Sequence, residues 1–95
     1  MSAYVIVDIE VHDPAIYDEY RKVVAATLTR YGGKFLVRGG KINVLEGRWN
    51  PKRVVVLEFE SAERARQWYD SEEYRAPKQL RMQASKGNIV LVEGV

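Results

Sequence analysis

The chain has 95 residues, with 15 Lys and Arg against 13 Asp and Glu and a formal net charge of +2. That length suits one domain, and its charges are interleaved rather than blocked, which excludes a polyelectrolyte tail. It contains no cysteine, so disulfides, a thiolate nucleophile and Cys-ligated metals are excluded.

Hydrophobic content of 46% and charged content of 29% are ordinary globular values, not those of a disordered chain. No apolar run approaches the roughly 20 residues of a membrane span. The N-terminus lacks the basic flank and cleavage site of a signal peptide. The expectation is a complete cytoplasmic protein, one domain over residues 1–95, without a membrane partner.

Residues 3–11 alternate: Val5, Val7, Ile9 and Val11 point one way, Tyr4, Ile6, Asp8 and Glu10 the other. His12-Asp13-Pro14 then switches the chain to a helix, with Asp13 as N-cap and Pro14 at the first helical position. Tyr17, Tyr20, Val24, Leu28 and Tyr31 recur at steps of three and four, one apolar stripe. Gly32-Gly33 supplies the left-handed residue on which helices commonly end.

A second strand is predicted from Lys34, with a bulge or tight turn at Arg38-Gly39-Gly40. It continues over 42–46, with Ile42, Val44 and Glu46 on one side. Asn50-Pro51 turns the chain. Val54 to Leu57 is continuously apolar and mostly β-branched, the pattern of a strand covered on both faces. Ser61 caps a second helix with Ala62, Ala65, Trp68 and Tyr69 on its apolar side. Ser71 caps a further one, with a break or kink expected before Pro77. Gly87-Asn88 is read as a turn into a last strand, Ile89 to Val92.

This order predicts the α+β, ferredoxin-like βαββαβ arrangement, a four-stranded antiparallel sheet with helices on one face. The other face would then carry Tyr4, Ile6 and one side of the third and fourth strands as an apolar patch, which soluble monomers tend to avoid. A homodimer joined through the sheet faces is therefore expected.

The run YGGKFLVRGGKINVLEGRW, followed by PKRVVVLEF, AxxWYxSxEYxxxxxLR and IVLVEG, resembles the family known as domain of unknown function 1330. The resemblance covers essentially the whole chain. It implies a ferredoxin-like protomer of the dimeric α/β-barrel superfamily, with a pocket between sheet and helices. That superfamily also holds cofactor-free monooxygenases, isomerases, haem-degrading enzymes and small stress-responsive proteins, so the resemblance implies a fold rather than a reaction.

Candidate site residues follow from side-chain chemistry. Arg38, Glu46 and Arg53 are placed at one mouth of the sheet, where two guanidinium forks and one acid suit a small anion or enolate. The competing reading pairs Glu46 with Arg38 or Arg53 as a structural salt bridge. His12, the only histidine, is a candidate general base, or a polar residue at a turn. Its turn position suits a buried haem ligand poorly, and no cofactor or metal is expected. Glu46 and His12 are thus the candidate catalytic groups. Trp49 is read as a pocket cap or a cover for the partner. Tyr74 and Arg81 match the resembling block and close the far side of the pocket, or anchor the helix.

Two functions fit. One is a cofactor-free enzyme, monooxygenase-like or isomerase-like, acting on a small aromatic, enol or acid. The other is a non-catalytic ligand-binding or stress-related dimeric module. Nucleic acid is not expected, since RVVVLEF lacks the glycine and paired aromatics of an RNA-stacking sheet.

Overall fold

A computed structural model describes the whole chain, Met1–Val95. Four strands and three helices follow in the order β1 (Ala3–Val11), α1 (Pro14–Arg30), β2 (Lys34–Arg38), β3 (Arg53–Phe59), α2 (Ala62–Tyr69), α3 (Glu72–Ala84) and β4 (Ser85–Glu93). The sheet order is β2-β3-β1-β4 and every pairing is antiparallel. This is the ferredoxin-like arrangement anticipated above. The protein measures 35 × 33 × 17 Å, the thinnest dimension fitting a sheet under a single layer of helices.

The helix ends obey their local chemistry. Asp13 accepts from the Ile16 amide, Ser61 from Arg64 and Ser71 from Tyr74, each satisfying a free donor of a first turn. Pro14 opens α1, and Gly32 follows its end at φ 74°. The apolar stripe of α1, led by Tyr17, Tyr20, Val24 and Leu28, packs on Val5, Val7, Val55 and Leu57. Trp68, Tyr74, Phe59 and Leu28 are the largest fully buried side chains.

Three expectations are corrected. First, β2 ends at Arg38, and residues 39–52 form a loop without regular structure. Glu46 therefore does not sit on a strand. The alternation over 42–46 is real, but no strand lies beside it, and a strand needs a ladder. The bulge falls between Phe35 and Val37, just before the glycines.

Second, α3 runs through Pro77 without a break; the interruption lies at Asp70–Ser71, between α2 and α3. Pro77 is the sixth residue of α3, so its missing N–H removes one helical bond, and its buried ring is retained in the core.

Third, Gly87 is no turn residue. It lies inside β4, opposite Ile9, at φ 152°. A Cβ there would collide with the Asp8 carbonyl, so the close approach of two strands requires glycine.

The face away from the helices is open. Ile6 pairs with Val56 and Val90 at its centre, and Val37 lies beyond Val56. Val90, Val92 and Val37 are 40–49% exposed. The continuous apolar runs of β3 and β4 thus cover only one side within the chain. No helix is long and apolar enough to cross a membrane.

Candidate functional site

Between the sheet and helices α1 and α3 the core is not purely apolar. A small cavity there is lined by Tyr17, Tyr20 and Tyr74 and by Arg38, Arg53 and Arg81, with Trp68 and Phe35 among its apolar walls. It encloses about 20 Å³, room for about one water molecule. Outside it lies an open groove of about 870 Å³ between the end of β1, the start of α1 and Lys52. Tyr17, Arg21 and Arg53 line both spaces.

The placement follows from element geometry. Tyr17 and Tyr20 stand three apart on α1, hence on one face, and their rings lie 5.5 Å apart. Tyr74 and Arg81 stand seven apart on α3, two helical turns, and share its buried side. Arg38 is the last residue of β2 and Arg53 the first of β3, so both emerge at the same end of the sheet.

A chain of polar contacts runs along the inner wall. The Tyr20 and Tyr74 hydroxyls are 2.9 Å apart and share a hydrogen bond. Arg81 Nε donates to the Tyr74 hydroxyl at 3.3 Å. At the mouth, Arg53 Nε donates to the Tyr17 hydroxyl at 3.1 Å. Arg38 Nη2 donates to the Arg21 carbonyl at 3.1 Å, and its guanidinium carbon lies 4.1 Å from the centroid of the Phe35 ring.

The electrostatics are one-sided. The five ion pairs of the chain involve Arg21, Lys22, Arg30, Lys34 and Arg75; none includes Arg38, Arg53 or Arg81. No carboxylate or imidazole lines the cavity. Arg81 is only 8% exposed. A buried guanidinium without a counter-ion carries a desolvation cost that pairing normally offsets.

Burial pushes the Tyr20 hydroxyl far above the ordinary tyrosine range, reinforced by neighbouring Tyr74. Burial also pushes Tyr74 up, against the opposing pull of Arg81. For Arg81, burial opposes the charge, but Tyr74, Tyr20 and Tyr69 together outweigh it and the shift is upward. The wall therefore presents neutral hydroxyls beside a fixed cation.

Of the residues singled out from sequence, Arg38, Arg53, Tyr74 and Arg81 meet at this cavity. Glu46 does not: it is exposed in the 39–52 loop and pairs with neither arginine, so the anticipated salt bridge is absent as well. His12 is exposed where β1 gives way to α1, its backbone N–H bonded to the Ala84 carbonyl at 2.9 Å.

Trp49 lies on the opposite, open face, where its indole N–H donates to Asp8 Oδ2 at 2.9 Å. At 61% exposure it caps nothing within its own chain. Tyr17 and Tyr20 read in sequence chiefly as part of the α1 core stripe, whose hydroxyls could act as acid or donor where they meet a cavity. The available signal was their chemistry, since a tyrosine on a buried stripe must find a partner for its hydroxyl.

A ferredoxin-like α+β domain with one uncovered sheet face and a cationic, tyrosine-lined cavity under the helices is the class that fold and site define. The chain belongs to the family described as domain of unknown function (DUF1330), whose profile matches residues 2–95. No curated protein matches it.

Among solved structures it is similar to RPA0582, a protein of unknown function from Rhodopseudomonas palustris. The TM-score is 0.77 at 17% identity, over 99% of this chain and 82% of that one. It is also similar to SnoaB, a cofactor-independent oxygenase from Streptomyces nogalater, with TM-score 0.67 and 15% identity over 99% of this chain and 93% of that one. At these identities the likeness concerns the fold.

Proposed function

We propose that the arginine–tyrosine cavity binds a small planar acid, held as its enolate, phenolate or carboxylate, and that the protein is a cofactor-independent enzyme of the oxygenase or isomerase kind. The observation that carries the reading is Arg81, buried beside Tyr74 and facing a cavity with no carboxylate to balance it. An anionic ligand would supply the missing counter-charge, and the Tyr20–Tyr74 pair would donate into the same space.

The chemistry suits the fold shared with SnoaB, itself a cofactor-independent oxygenase. An arginine field lowers the pKa of a bound enol or phenol and stabilises the anion that forms. Such an anion is electron-rich enough to reduce dioxygen directly. A ring CH₂ then becomes C=O, and the second oxygen atom leaves with the two hydrogens as water. In an isomerase the same anion is reprotonated at a different carbon.

A second reading, a non-catalytic binding module, draws on the absence of any carboxylate or imidazole along the cavity wall. One experiment divides the two. The protein is incubated with a panel of quinols, naphthols and enolisable acids while dioxygen uptake and product mass are followed. Turnover of one member supports the enzyme. Saturable binding without turnover, uptake or isomerised product contradicts it and leaves the module.

The assembly belongs to the same proposal. A second copy covers the open sheet face, giving a homodimer. The face supports this with its central Ile6, Val56 and Val90, and so does the adjoining loop, where Leu45 is 96% and Trp49 61% exposed. Sedimentation at micromolar concentration tests it, and a concentration-independent monomer contradicts it.

A further inference from the structure

The cavity and the groove outside it differ more than forty-fold in size, about 20 Å³ against about 870 Å³. Only a few side chains separate them. Tyr17 and Arg53, which line both spaces, are joined by the 3.1 Å bond from Arg53 Nε to the Tyr17 hydroxyl. Beside them, Arg38 is held to the Arg21 carbonyl. The inner space holds about one water, so no organic ligand reaches Arg81 while these contacts stand.

We infer that Arg53 and Tyr17 form a latch that closes an anion path from the outer groove to Arg81, with Arg53 as the cation that lines both spaces and moves between them. The inference rests on the anion-binding reading of the cavity and adds its gate.

Three features make Arg53 the moving part. Its guanidinium has no carboxylate partner, so leaving Tyr17 costs one hydrogen bond and a cation–π contact at 5.2 Å rather than a salt bridge. It sits at the first position of β3, directly after the 39–52 loop, and is only half-buried. It also packs into the space that a side chain at residue 39 would fill. Gly39 has φ 69°, and a Cβ there would collide with the Arg53 guanidinium. Glycine therefore both permits the loop's left-handed turn and leaves the parking place of the latch open.

Tyr17 is the fixed part. It is buried and its ring packs against Tyr20, so its hydroxyl is a stationary acceptor. An anion in the outer groove attracts Arg53 away from Tyr17, and the released guanidinium moves with it toward Arg81. A cation gains nothing by this exchange. The groove also carries Glu10 and Asp18, the latter paired with Arg21 and Lys22, so selection for negative charge at the entrance rests on Arg53 and neighbouring Lys52.

Trp68 lines the inner cavity and is 1% exposed, which makes it a reporter. The other tryptophan, Trp49, is removed by Trp49→Phe. In that background, quenching of Trp68 fluorescence is measured with iodide, acrylamide and caesium, alone and with Tyr17→Phe. Tyr17→Phe keeps the ring and deletes the acceptor.

The latch predicts that Tyr17→Phe raises iodide quenching at least about tenfold, the loss expected for one hydrogen bond to a charged group. Acrylamide quenching rises too, and caesium stays excluded. Arg53→Ala, with folding checked by circular dichroism, raises acrylamide quenching in the same way. Unchanged iodide and acrylamide quenching in both folded variants overturns the latch. Equal access for iodide and caesium after unlatching would instead overturn the anion-binding reading, so the two failures are distinguishable.

Discussion

On the helix side of the sheet, Val5, Val7, Val55 and Leu57 are 3–6% exposed; on the other side Val90 and Val92 are 49% and 45% exposed. The two sides are drawn from the same strands and are similarly rich in β-branched residues. The covered side nevertheless contains the three arginines without acidic partners, whereas the uncovered side contains the apolar patch. Each side thus carries groups unsuited to its surroundings. One cation, Arg81, is buried where apolar atoms belong, with half-buried Arg53 and exposed Arg38 at the rim, and apolar atoms are exposed where polar ones belong. Both mismatches are what the proposed partners would relieve: a small anion on one side and a second copy on the other.

The comparison can be broken most forcefully on the covered side. Trp68 stacks near Tyr74, with ring centroids 4.1 Å apart, and donates its indole N–H to Thr27 Oγ1 at 3.0 Å. Trp68→Ala is expected to cost about 3–5 kcal/mol, a large part of a small domain's stability, as read by urea unfolding. A loss below about 1 kcal/mol would mean that this side is loosely packed.

Alkaline pH attacks the same side more gently. Tyr20 and Tyr74 have folded-state pKa values above the reference value of 10.0, so they keep their protons in the fold and lose them on unfolding. Their contribution is fully present below pH 10 and declines as pH rises above it. The decline approaches about 1.4 kcal/mol per pH unit for each tyrosine. Melting temperatures between pH 8 and 11.5 should fall accordingly, and Tyr20→Phe should flatten the decline.

On the uncovered side, Val90→Lys should change protomer stability by no more than about 0.5 kcal/mol, because the residue is half exposed. The same substitution should shift the proposed dimer to monomer in sedimentation. An unaltered dimer would place the interface elsewhere.

The smallest effect belongs to the surface staple between α1 and α3, where Glu73 accepts from Tyr31 at 2.8 Å and pairs with Arg30 at 2.8 Å. Its carboxyl is held below the usual range by its own backbone N–H, Tyr31 and Arg30, so its small contribution is present at neutral pH and lost in acid. Glu73→Gln should barely move the neutral melting temperature and should weaken its acid dependence.

Much of this architecture was legible because burial imposes periodicity. Steps of three and four in α1 and steps of two in β1 gave the sheet and its helices. The misreadings arose where a local pattern needs a distant partner. Residues 42–46 alternate like a strand but have no ladder beside them in the chain. Gly87 looked like a turn because the nearby Asp8 carbonyl that requires a glycine is invisible in sequence.

The site divided in the same way. Arg38 and Arg53 flank the ends of adjacent strands, so their meeting followed from topology. Tyr74 and Arg81 came from the resembling block. Glu46 was misplaced with its strand, and His12 turned outward with the cap. Tyr17 and Tyr20 were hidden by their own core stripe, which they serve while also presenting hydroxyls to the cavity.

The most direct measurement is calorimetric titration with salicylate and with its neutral amide, in the native protein and in Arg81→Met. Salicylate is expected to bind and the amide is not. In Arg81→Met salicylate affinity should fall at least about tenfold, the scale of one lost charge-assisted hydrogen bond. The variant should stay folded, because methionine replaces an unpaired buried charge with apolar volume. Equal binding of acid and amide, or unchanged salicylate affinity in a folded Arg81→Met, would contradict the claim that the buried arginine awaits an anion.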